Sequence, residues 1–268
     1  MENKRLIESV QNPRVKATVK LRKAKVRNES GRTVVEGFRE IQRAVESKWR
    51  FLELYYCPEL YLKGGEDELV EKIGRGDVPV FRCSEAAFRK MSYRDTPDGL
   101  LAISPLVGKT LDELELGPNP LLLVAEDLEK PGNLGTILRT ADAAGVDAVI
   151  ACDPNTDLNN PNVIRASIGT LFFMPVAVAS TAATLSWLKT RGIRSIAAVP
   201  SADQCYTDID MSSPTAIFVG SEDDGLSAEA IAVADHKVGI PMLGKNDSLN
   251  VSTAAAIMLY EAVRQRRA

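Results

Sequence analysis

Three stretches with polar residues, two directly after an apolar segment and the third after a short polar turn, carry the residues of this chain best suited to chemistry. They lie at Glu126–Thr140, Gly220–Ser227 and Ser248–Ser252. Each joins amide, hydroxyl or charged side chains to a predicted helix start, and the first two contain glycines that let a ligand approach the backbone. The free amides of a helix N-terminus favour a polar or anionic ligand. We therefore look for a binding site in these stretches first.

The first stretch contains an arginine, Arg139, close to the start of a helix predicted from Gly135 to Ala144. Asn133 is expected to cap this helix, and Arg139 follows about one turn later. A guanidinium in that position can present its planar fork to a phosphate or a carboxylate. The alternative is an arginine that only lies on the helix surface.

The second and third stretches are turns with polar side chains at fixed places. Gly220, Glu222 and Gly225 belong to an acidic turn, which by itself indicates either a solvated turn or a weak cation site. Because its carboxylates lack the alternating spacing of a calcium loop, a structural turn is favoured over metal binding. Asn250 and Ser252 precede an apolar helical run, where such residues cap a helix and leave its amides open to a ligand.

One further pattern imitates a phosphate-binding loop. Residues 239–245 read G-x-x-x-x-G-K. A P-loop has Ser or Thr after the lysine, and its helix begins at once. Here Asn246 follows Lys245, Pro241 lies inside the loop, and the helix is predicted several residues later. Chance spacing of two glycines after a strand predicted to end at Met242 is the favoured interpretation, and nucleotide binding through Lys245 is the alternative.

Histidine and cysteine usage argue against several classes of protein. His236 is the single histidine, so a Ser-His-Asp site has little to be built from. The cysteines form no C-x-x-C pair, and neither a zinc site nor a disulfide framework is expected, so no metal is assigned. No apolar run is long enough to span a membrane, and the charged N-terminus lacks an apolar signal core. A cytoplasmic location is expected.

Charge is distributed unevenly along the chain. Residues 1–50 hold 14 Lys/Arg and 6 Asp/Glu, a net charge of +8, whereas the whole chain carries −3 and the remainder therefore −11. Such an asymmetry predicts an end that faces a polyanion on an otherwise acidic protein. For the basic segment from Lys16 to Arg27, a solvated helix face is the alternative interpretation.

Two series of alternating helices and strands position these features. Residues 1–104 read as a small α/β domain that opens with a basic helix at about Pro13–Val26, and residues 105–119 read as a linker. Residues 120–268 alternate short, almost wholly apolar strands with helices, which indicates a parallel sheet covered on both faces. The polar stretches follow its strands, at the edge where ligands of such sheets bind.

The three stretches together resemble the signatures of the SpoU (TrmH-like) branch of the SPOUT RNA methyltransferases. These signatures are N-x-G-x-x-x-R-T, G-x-E-x-x-G and I-P-M…S-L-N-V-S. The matching residues are Asn133, Gly135, Arg139 and Thr140; Gly220, Glu222 and Gly225; and Ile240–Met242 with Ser248–Ser252. A further R-x-S-x-G element lies at Arg165–Gly169. Each pattern alone is weak, but the ordered set across the C-terminal part of the chain is specific.

The N-terminal residues are similar to the small RNA-binding α/β domain, of ribosomal-protein type, that often precedes this catalytic domain. The matching segments are Asn12–Lys16 and Val35–Ile41. The resemblance implies that basic side chains there contact RNA phosphates and position the RNA without reading its sequence. The candidates for RNA contacts are Arg14, Lys16, Arg39 and, within the catalytic domain, Arg165.

For residues 120–268 the resemblance implies a parallel-sheet SPOUT domain with a deep trefoil knot, a topology that periodicity alone would not propose. In the family, the knot loops hold S-adenosylmethionine, and its methyl group goes to a ribose 2′-hydroxyl without a metal. Carried over by position, the cofactor-binding residues are Val199, Val219, Gly220, Ile240, Met242 and Leu249. Family members are homodimers in which both subunits build the site, so a homodimer is implied here.

The resemblance also implies a catalytic set, which consists of Arg139, Asn133, Glu222, Asn250 and Ser252. Arg139 matches the family's catalytic arginine. Because a guanidinium keeps its proton in proteins, we interpret it as binding the adjacent phosphate and stabilising the developing alkoxide, not as a base. Asn133 is expected to orient Arg139 or the ribose, and Glu222 to hold Arg139 or Asn250. The group that removes the 2′-hydroxyl proton stays open.

The expected substrate is RNA, with large-subunit (23S) ribosomal RNA favoured because family members with this N-terminal domain commonly modify it. A transfer RNA 2′-O-methyltransferase is one alternative. A non-catalytic RNA-binding or ribosome-assembly protein that has kept the fold is the other. The sequence does not identify the nucleotide.

Overall fold

The computed structural model describes residues 5–267, which fold into two compact units. The first unit contains the chain up to Val107 together with Asn159–Phe173, and the second contains Gly108–Leu158 and the chain from Met174 onward. The first four residues of the predicted N-terminal domain lie outside the described part. The predicted boundaries around residues 105–119 did not anticipate the excursion at residues 159–173. Within residues 5–267, no helix combines the length and the apolar character needed to cross a membrane.

The first unit is a mixed β-sheet with short helices. Its strands are β1 (Arg5–Ile7), β2 (Arg32–Glu36), β3 (Glu53–Tyr56), β4 (Val80–Cys83) and β5 (Leu100–Pro105). Its first five helices are α1 (Pro13–Lys20), α2 (Ala24–Ser30), α3 (Phe38–Glu46), α4 (Glu66–Gly74) and α5 (Glu85–Met91). The strand order is β1-β4-β3-β5-β2, with β5 antiparallel to both of its neighbours. The side chains of Tyr55, Phe81 and Phe88 are fully buried in its core.

The second unit is built on a six-stranded parallel sheet, which confirms the prediction of parallel strands. Its strands are β6 (Leu121–Glu126), β7 (Ala148–Cys152), β8 (Val176–Ala179), β9 (Arg194–Ala198), β10 (Thr215–Val219) and β11 (His236–Val238). Its helices are α6 (Pro131–Ala143), α8 (Thr181–Thr190), α9 (Ala228–Val233) and α10 (Val251–Arg267), whereas α7 (Pro161–Ala166) belongs to the first unit. The strand order is β11-β9-β10-β6-β7-β8, and every pair is parallel.

Apolar strands explain why this sheet is covered on both faces. Every residue of β6, β7 and β10 is buried. Leu122 and Phe218 pack in one cluster with Leu185 of α8, while α10 lies against α6 and β10. Burying one such side chain contributes about 1.5–3 kcal/mol. The sheet is therefore a rigid platform, and its loops are free to carry polar groups.

The basic helix predicted at Pro13–Val26 is two helices, α1 and α2, with a break at Leu21–Lys23. Arg27 is only 2% exposed and stabilises this break. Its Nη1 donates hydrogen bonds to the carbonyls of Leu21 at 2.8 Å and of Arg22 at 3.0 Å. A helix end leaves carbonyls without partners, and this guanidinium supplies the missing donors.

Residues 159–173 pack against the rest of the first unit, and side chains of that unit donate to their backbone carbonyls. Thr33 Oγ1 donates to the Asn159 carbonyl at 2.7 Å, and Arg43 Nη1 donates to the Ile168 carbonyl at 3.0 Å. A Cβ at Gly169, whose φ is +76°, would lie 3.1 Å from the backbone of Glu40. The glycine of the R-x-S-x-G element therefore allows a close approach to α3.

Candidate active site

The polar stretches meet at one edge of the parallel sheet. The strands β11, β9, β10 and β6 are adjacent, and the loops after them begin at Gly239, Val199, Gly220 and Asp127. Because parallel strands end at the same edge, these loops converge there. Segments that are far apart in the sequence thus form one surface.

The acidic turn after β10 is closed by its own backbone. The Ser221 N–H donates to the Gly225 carbonyl at 3.0 Å, and the Gly225 N–H donates to the Ser221 carbonyl at 3.2 Å. Gly225 has a φ of +70°, and a Cβ at Gly220 would lie 2.1 Å from the Gly225 carbonyl group, so both positions require glycine. The turn therefore holds Glu222 in a defined place. Among residues 5–267, no group of three or more His, Cys, Asp or Glu side chains is arranged to hold a metal ion.

A buried carboxylate fixes the end of this turn. Glu126, the last residue of β6, is 3% exposed and accepts hydrogen bonds from the Ser227 N–H and Oγ, both at 2.8 Å. Thr181 Oγ1 donates to the same carboxylate at 2.5 Å. Ser227 Oγ in turn accepts from the Ala230 N–H at 3.1 Å and so caps α9. The buried charge is compensated by these donors, as burial requires.

Glu222 contacts side chains from two other loops. Lys130 Nζ forms an ion pair with Glu222 Oε2, and Asn250 Nδ2 donates to Oε1. Asn250 Nδ2 also lies 3.4 Å from Asn133 Oδ1. We call these four residues the Glu222 cluster. The hydrogen bond from Lys130, and then that from Asn133, lower the pKa of Glu222 below its ordinary value of 4.5, so its carboxylate is ionised at neutral pH.

The predicted polar residues before the last helix lie where α10 begins. Asn250 Oδ1 accepts from the Ser252 N–H at 3.0 Å and from Ser252 Oγ at 2.5 Å, so Asn250 is the cap and Ser252 lies inside the helix. The prediction that a strand runs to Met242 is wrong, because β11 ends at Val238. Beyond it, Gly239 forms only an isolated bridge, and Pro241 has no N–H to donate to a sheet.

Helix α6 begins earlier than predicted, at Pro131, a residue that suits the first position of a helix. The prediction that Asn133 caps this helix is wrong, because Asn133 lies within its first turn and Lys130 takes the cap position. Arg139 lies more than two turns in, where its side chain is exposed and has no hydrogen bond or ion pair with any residue that the structure describes. Because Arg139 follows Asn133 by six residues, it lies about 9 Å farther along the helix and about 240° around it. The two side chains therefore leave the helix in different directions.

Two adjoining cavities lie at this edge of the sheet. The larger measures about 570 Å³, and its walls include Val219, Gly220, Glu222, Ser248 and Leu249. The smaller measures about 60 Å³, and its walls include Val199, Ile240, Met242, Ser248 and Leu249. The six residues predicted to bind the cofactor thus line one or both cavities. Their role in binding it stays a prediction.

The residues predicted to contact RNA lie in the first unit. Arg14 Nη1 pairs with Glu53 Oε1 at 2.5 Å, and the guanidinium lies 4.4 Å from the Phe81 ring centroid. Lys16 on α1, Arg39 on α3 and Arg165 on α7 are exposed. The fold therefore uses the charge of Arg14 internally, and the RNA-binding roles of all four residues stay predictions.

Sequence reasoning missed Lys130 and Glu126. Lys130 directly precedes the helix-starting Pro131, and its charge is opposite to that of Glu222. Glu126 is a carboxylate at the end of an otherwise apolar strand. A charged residue at the end of a buried strand, or just before a helix that starts at the ligand-binding edge, was the available signal.

Two protein families match this chain over separate ranges. Residues 120–260 match the SpoU rRNA Methylase family, and residues 12–102 match the MRM3-like substrate binding domain. The first match covers the strands and loops that carry the Glu222 cluster. The second covers most of the first unit.

Several proteins of known name or structure align with almost the whole length of this chain. The 23S rRNA (guanosine(2553)-2′-O)-methyltransferase RlmP of Bacillus subtilis is 30% identical over 254 residues, which cover 95% of this chain and 97% of that protein. A solved RNA 2′-O ribose methyltransferase superposes with a TM-score of 0.84 at 39% identity, over 98% of this chain and 100% of that one. An AdoMet-bound rRNA methyltransferase from Sinorhizobium meliloti gives a TM-score of 0.88 at 29% identity, over 97% of each chain. Motifs, fold and relatives agree, and the chain belongs to the SpoU rRNA methylase family.

Proposed function

We propose that this protein transfers the methyl group of S-adenosylmethionine to a ribose 2′-hydroxyl of large-subunit ribosomal RNA. The observation that carries the proposal is the Glu222 cluster, whose Glu222 lines the larger of the two cavities at the ligand-binding edge of the parallel sheet. The name of the Bacillus subtilis relative supports both the ribose position and the large-subunit target.

The two cavities fit S-adenosylmethionine by the chemistry of their walls. Val199, Ile240 and Met242 offer an apolar surface for an adenine ring. Gly220 has no side chain and lines the larger cavity, so backbone forms part of its wall. Such backbone can offer N–H and C=O groups to a ligand. When bound, the cofactor supplies a methyl group on a positively charged sulfur.

Arg139 binds the phosphate beside the target ribose and stabilises the alkoxide that forms as the 2′-hydroxyl loses its proton. Its exposed guanidinium has no partner within residues 5–267, so its donors are available to the RNA. Because it keeps its own proton, the proton of the hydroxyl passes to another base. Removing one hydrogen-bond donor from a developing negative charge typically costs about 10²–10³-fold in kcat.

Glu222 acts as a positioning residue. Its carboxylate fixes the Asn250 amide, and Asn250 Oδ1 then accepts the hydrogen bonds of Ser252 at the start of α10. Lys130 balances the charge of the carboxylate. Since the pKa of Glu222 is lowered, this carboxylate is a weak base and suits orientation better than proton removal.

The proposal includes a homodimer in which one subunit supplies Arg139 to the Glu222 cluster of the other. The different directions of Asn133 and Arg139 on α6 support this arrangement. It predicts complementation between inactive variants, Arg139→Ala and Glu222→Ala. Mixed dimers should contain one intact site, and random mixing should restore about a quarter of wild-type activity. If Arg139 acts within its own subunit, mixing restores nothing.

The proposal also includes a trefoil knot in the second unit, an RNA-binding domain up to residue 104, a linker at 105–119 and a cytoplasmic location. The return of α10 against α6 and β10, together with the position of β11 beside β9, supports the knot. Exposed Lys16, Arg39 and Arg165 are proposed to contact RNA phosphates.

The test is transfer of labelled methyl from S-adenosylmethionine to unmodified 23S rRNA and, separately, to transfer RNA. Nuclease digestion then locates the label on ribose or on base. Ribose label in 23S rRNA supports the proposal, and ribose label in transfer RNA alone moves the substrate to that class. No label in either pool, from a folded protein that binds the cofactor, contradicts catalysis and favours a non-catalytic RNA-binding role.

A further inference from the structure

The first unit contains a cavity with arginine walls, and none of its lining residues belongs to the proposed methyl-transfer site. It measures about 440 Å³, and its walls are formed by Arg22, Arg89, Ser92, Tyr93, Arg94, Asp95 and Pro97. Sites for small ligands typically measure about 300–1,000 Å³. Three guanidinium groups outnumber the one carboxylate in these walls, that of Asp95, and favour an anionic ligand with two oxygens that one guanidinium can bind together, such as a phosphate or a carboxylate. We call this feature the arginine cavity.

A buried carboxylate holds one wall of the arginine cavity. Glu36, 5% exposed, accepts hydrogen bonds from Ser92 Oγ at 2.5 Å and from the Tyr93 N–H at 2.6 Å. Arg94 Nη2 donates to the Glu36 carbonyl at 2.9 Å. A Cβ at Gly37 would lie 2.2 Å from that nitrogen, so the glycine makes room for the guanidinium. The wall is therefore set by the fold and does not depend on a ligand.

Arg22 is held in the cavity by carbonyl groups, which leaves its charge without a counter-ion. Its Nη2 donates to the carbonyls of Ser92 at 2.6 Å and Lys90 at 3.3 Å, and its guanidinium lies 5.4 Å from the Tyr93 ring centroid. Arg22 forms no ion pair with any carboxylate in the described part of the chain. A fixed, uncompensated cation is preorganised for an anion.

The other two arginines also have donors to spare. Arg89 pairs with Glu85 at 2.8 Å through Nε alone, and its terminal nitrogens make no hydrogen bond within residues 5–267. Arg94 Nε is buried and has no hydrogen-bond partner among the described residues. A buried donor without a partner indicates a place for a ligand or a water molecule.

We propose that the arginine cavity binds one nucleotide of the substrate RNA, with Arg22 and Arg89 on its phosphate. The inference rests on the proposed RNA methyltransferase function, and it names where the first unit holds the strand. Exposed Lys20, Lys23 and Lys90 adjoin these arginines in the sequence and provide charge for neighbouring phosphates. Contacts of this kind position RNA and do not read its bases.

Filter binding of unmodified 23S rRNA transcript to the full-length protein, over a range of salt, tests the proposal. Arg22→Gln and Arg89→Gln should each weaken binding about tenfold and lower the salt slope of log Kd by about one. Arg22→Lys should retain most of the affinity. The matched control is Arg75→Gln, which removes the same charge from a side chain that is 81% exposed in the same unit but outside the cavity. It should bind within about twofold of wild type.

A second measurement maps contacts directly. Photo-cross-linking with 4-thiouridine-substituted 23S rRNA should label the peptide that contains Tyr93. Equal affinity of Arg22→Gln, Arg89→Gln and Arg75→Gln, or cross-links confined to other peptides, overturns the proposal even if the wild-type protein methylates rRNA. Weaker binding by the two cavity variants alone supports it even if no methyl transfer is found, in which case only the proposed reaction fails. Arg89→Gln keeps the test valid if Arg22→Gln does not fold.

Discussion

Arg94 in the first unit and Arg139 in the second are used by the fold in opposite ways. Arg94 is 20% exposed at its side chain and forms ion pairs with Glu40 at 3.0 Å and Asp98 at 3.3 Å. Arg139 is exposed, and no described residue pairs with it. Removing a buried charge leaves its partners uncompensated, whereas removing an exposed one leaves the fold nearly unchanged. The comparison separates an arginine that the structure needs from one that a substrate can use.

The carboxylates of the two units show the same contrast. Burial raises the pKa of Glu36 and of Glu40, and these groups hold the loop of Tyr93 and the guanidinium of Arg94. The hydrogen bond from Lys130 lowers the pKa of Glu222 instead. In this comparison the raised pKa values belong to two carboxylates buried in the fold, and the lowered pKa belongs to a carboxylate at the proposed site.

The largest effect should come from Arg94→Met, because it leaves buried carboxylates without their cation. We expect a loss of about 3–5 kcal/mol in the free energy of unfolding of the first unit. Since the folded-state pKa values of Glu36 and Glu40 are already raised by burial, this loss should be greatest at neutral pH and should shrink as the pH falls and protonation removes the charge. Urea unfolding at several pH values measures it.

The matched control for that variant is Arg75→Met, since its exposed pair with Glu71 at 3.9 Å should contribute no more than a few tenths of a kcal/mol. An Arg94→Met protein as stable as this control would contradict the claim that the fold depends on Arg94.

The next effect concerns Arg139→Ala, which should lower kcat by about 10²–10³-fold without lowering the melting temperature. The physical reason is that an exposed, unpartnered guanidinium contributes to the developing alkoxide and not to the fold. Single-turnover methyl transfer measures the change in rate, and calorimetry measures the melting temperature. A destabilised variant, or one with full activity, would break the contrast with Arg94.

A smaller effect is expected for Glu222→Gln, in which an amide can still accept the hydrogen bond from Asn250 but cannot balance Lys130. We expect about a tenfold lower kcat, a KM for RNA close to wild type and little change in stability. Steady-state kinetics measure the split. Glu222→Ala should lower kcat further, because Asn250 then loses its hydrogen-bond acceptor as well. Equal activity of the two variants would contradict a positioning role for Glu222.

The smallest effect is expected for Arg14→Gln. Its side chain is 40% exposed, and it pairs with Glu53, so the loss of stability should be about 1 kcal/mol or less. Because the fold occupies this guanidinium, RNA affinity should change less than in Arg39→Gln, whose side chain is exposed. Filter binding compares the two. A larger loss of affinity for Arg14→Gln would restore Arg14 as the principal RNA contact.

The fold was predictable where periodicity and apolar runs are strong. The strand Ala148–Cys152 is a wholly apolar run that is buried along its length, and the predicted parallel sheet follows from strands of this kind, which are buried on both faces. The ends of helices that depend on contacts with residues outside the helix were not predictable. The break between α1 and α2 depends on Arg27, which donates to carbonyls at the end of the preceding helix.

The site could be predicted as a set of loops but not as a set of contacts. Gly220, Glu222, Gly225 and Asn250 were recognised from their spacing. Lys130 was not, because its position before Pro131 does not indicate which carboxylate it will pair with. Its ion pair exists only when the loops after β6 and β10 are brought together.

By itself, the sequence determined the alternation of strands and helices and the glycines that closed turns require. It also determined the ordered motifs that identify the family. The tertiary structure decided which charges are available. It placed Arg14 on Glu53 and Arg94 between carboxylates, and it left Arg139 without a partner in the described chain. The physical reason is that a charge is compensated by groups distant in sequence, and only the folded chain brings those groups within hydrogen-bonding distance.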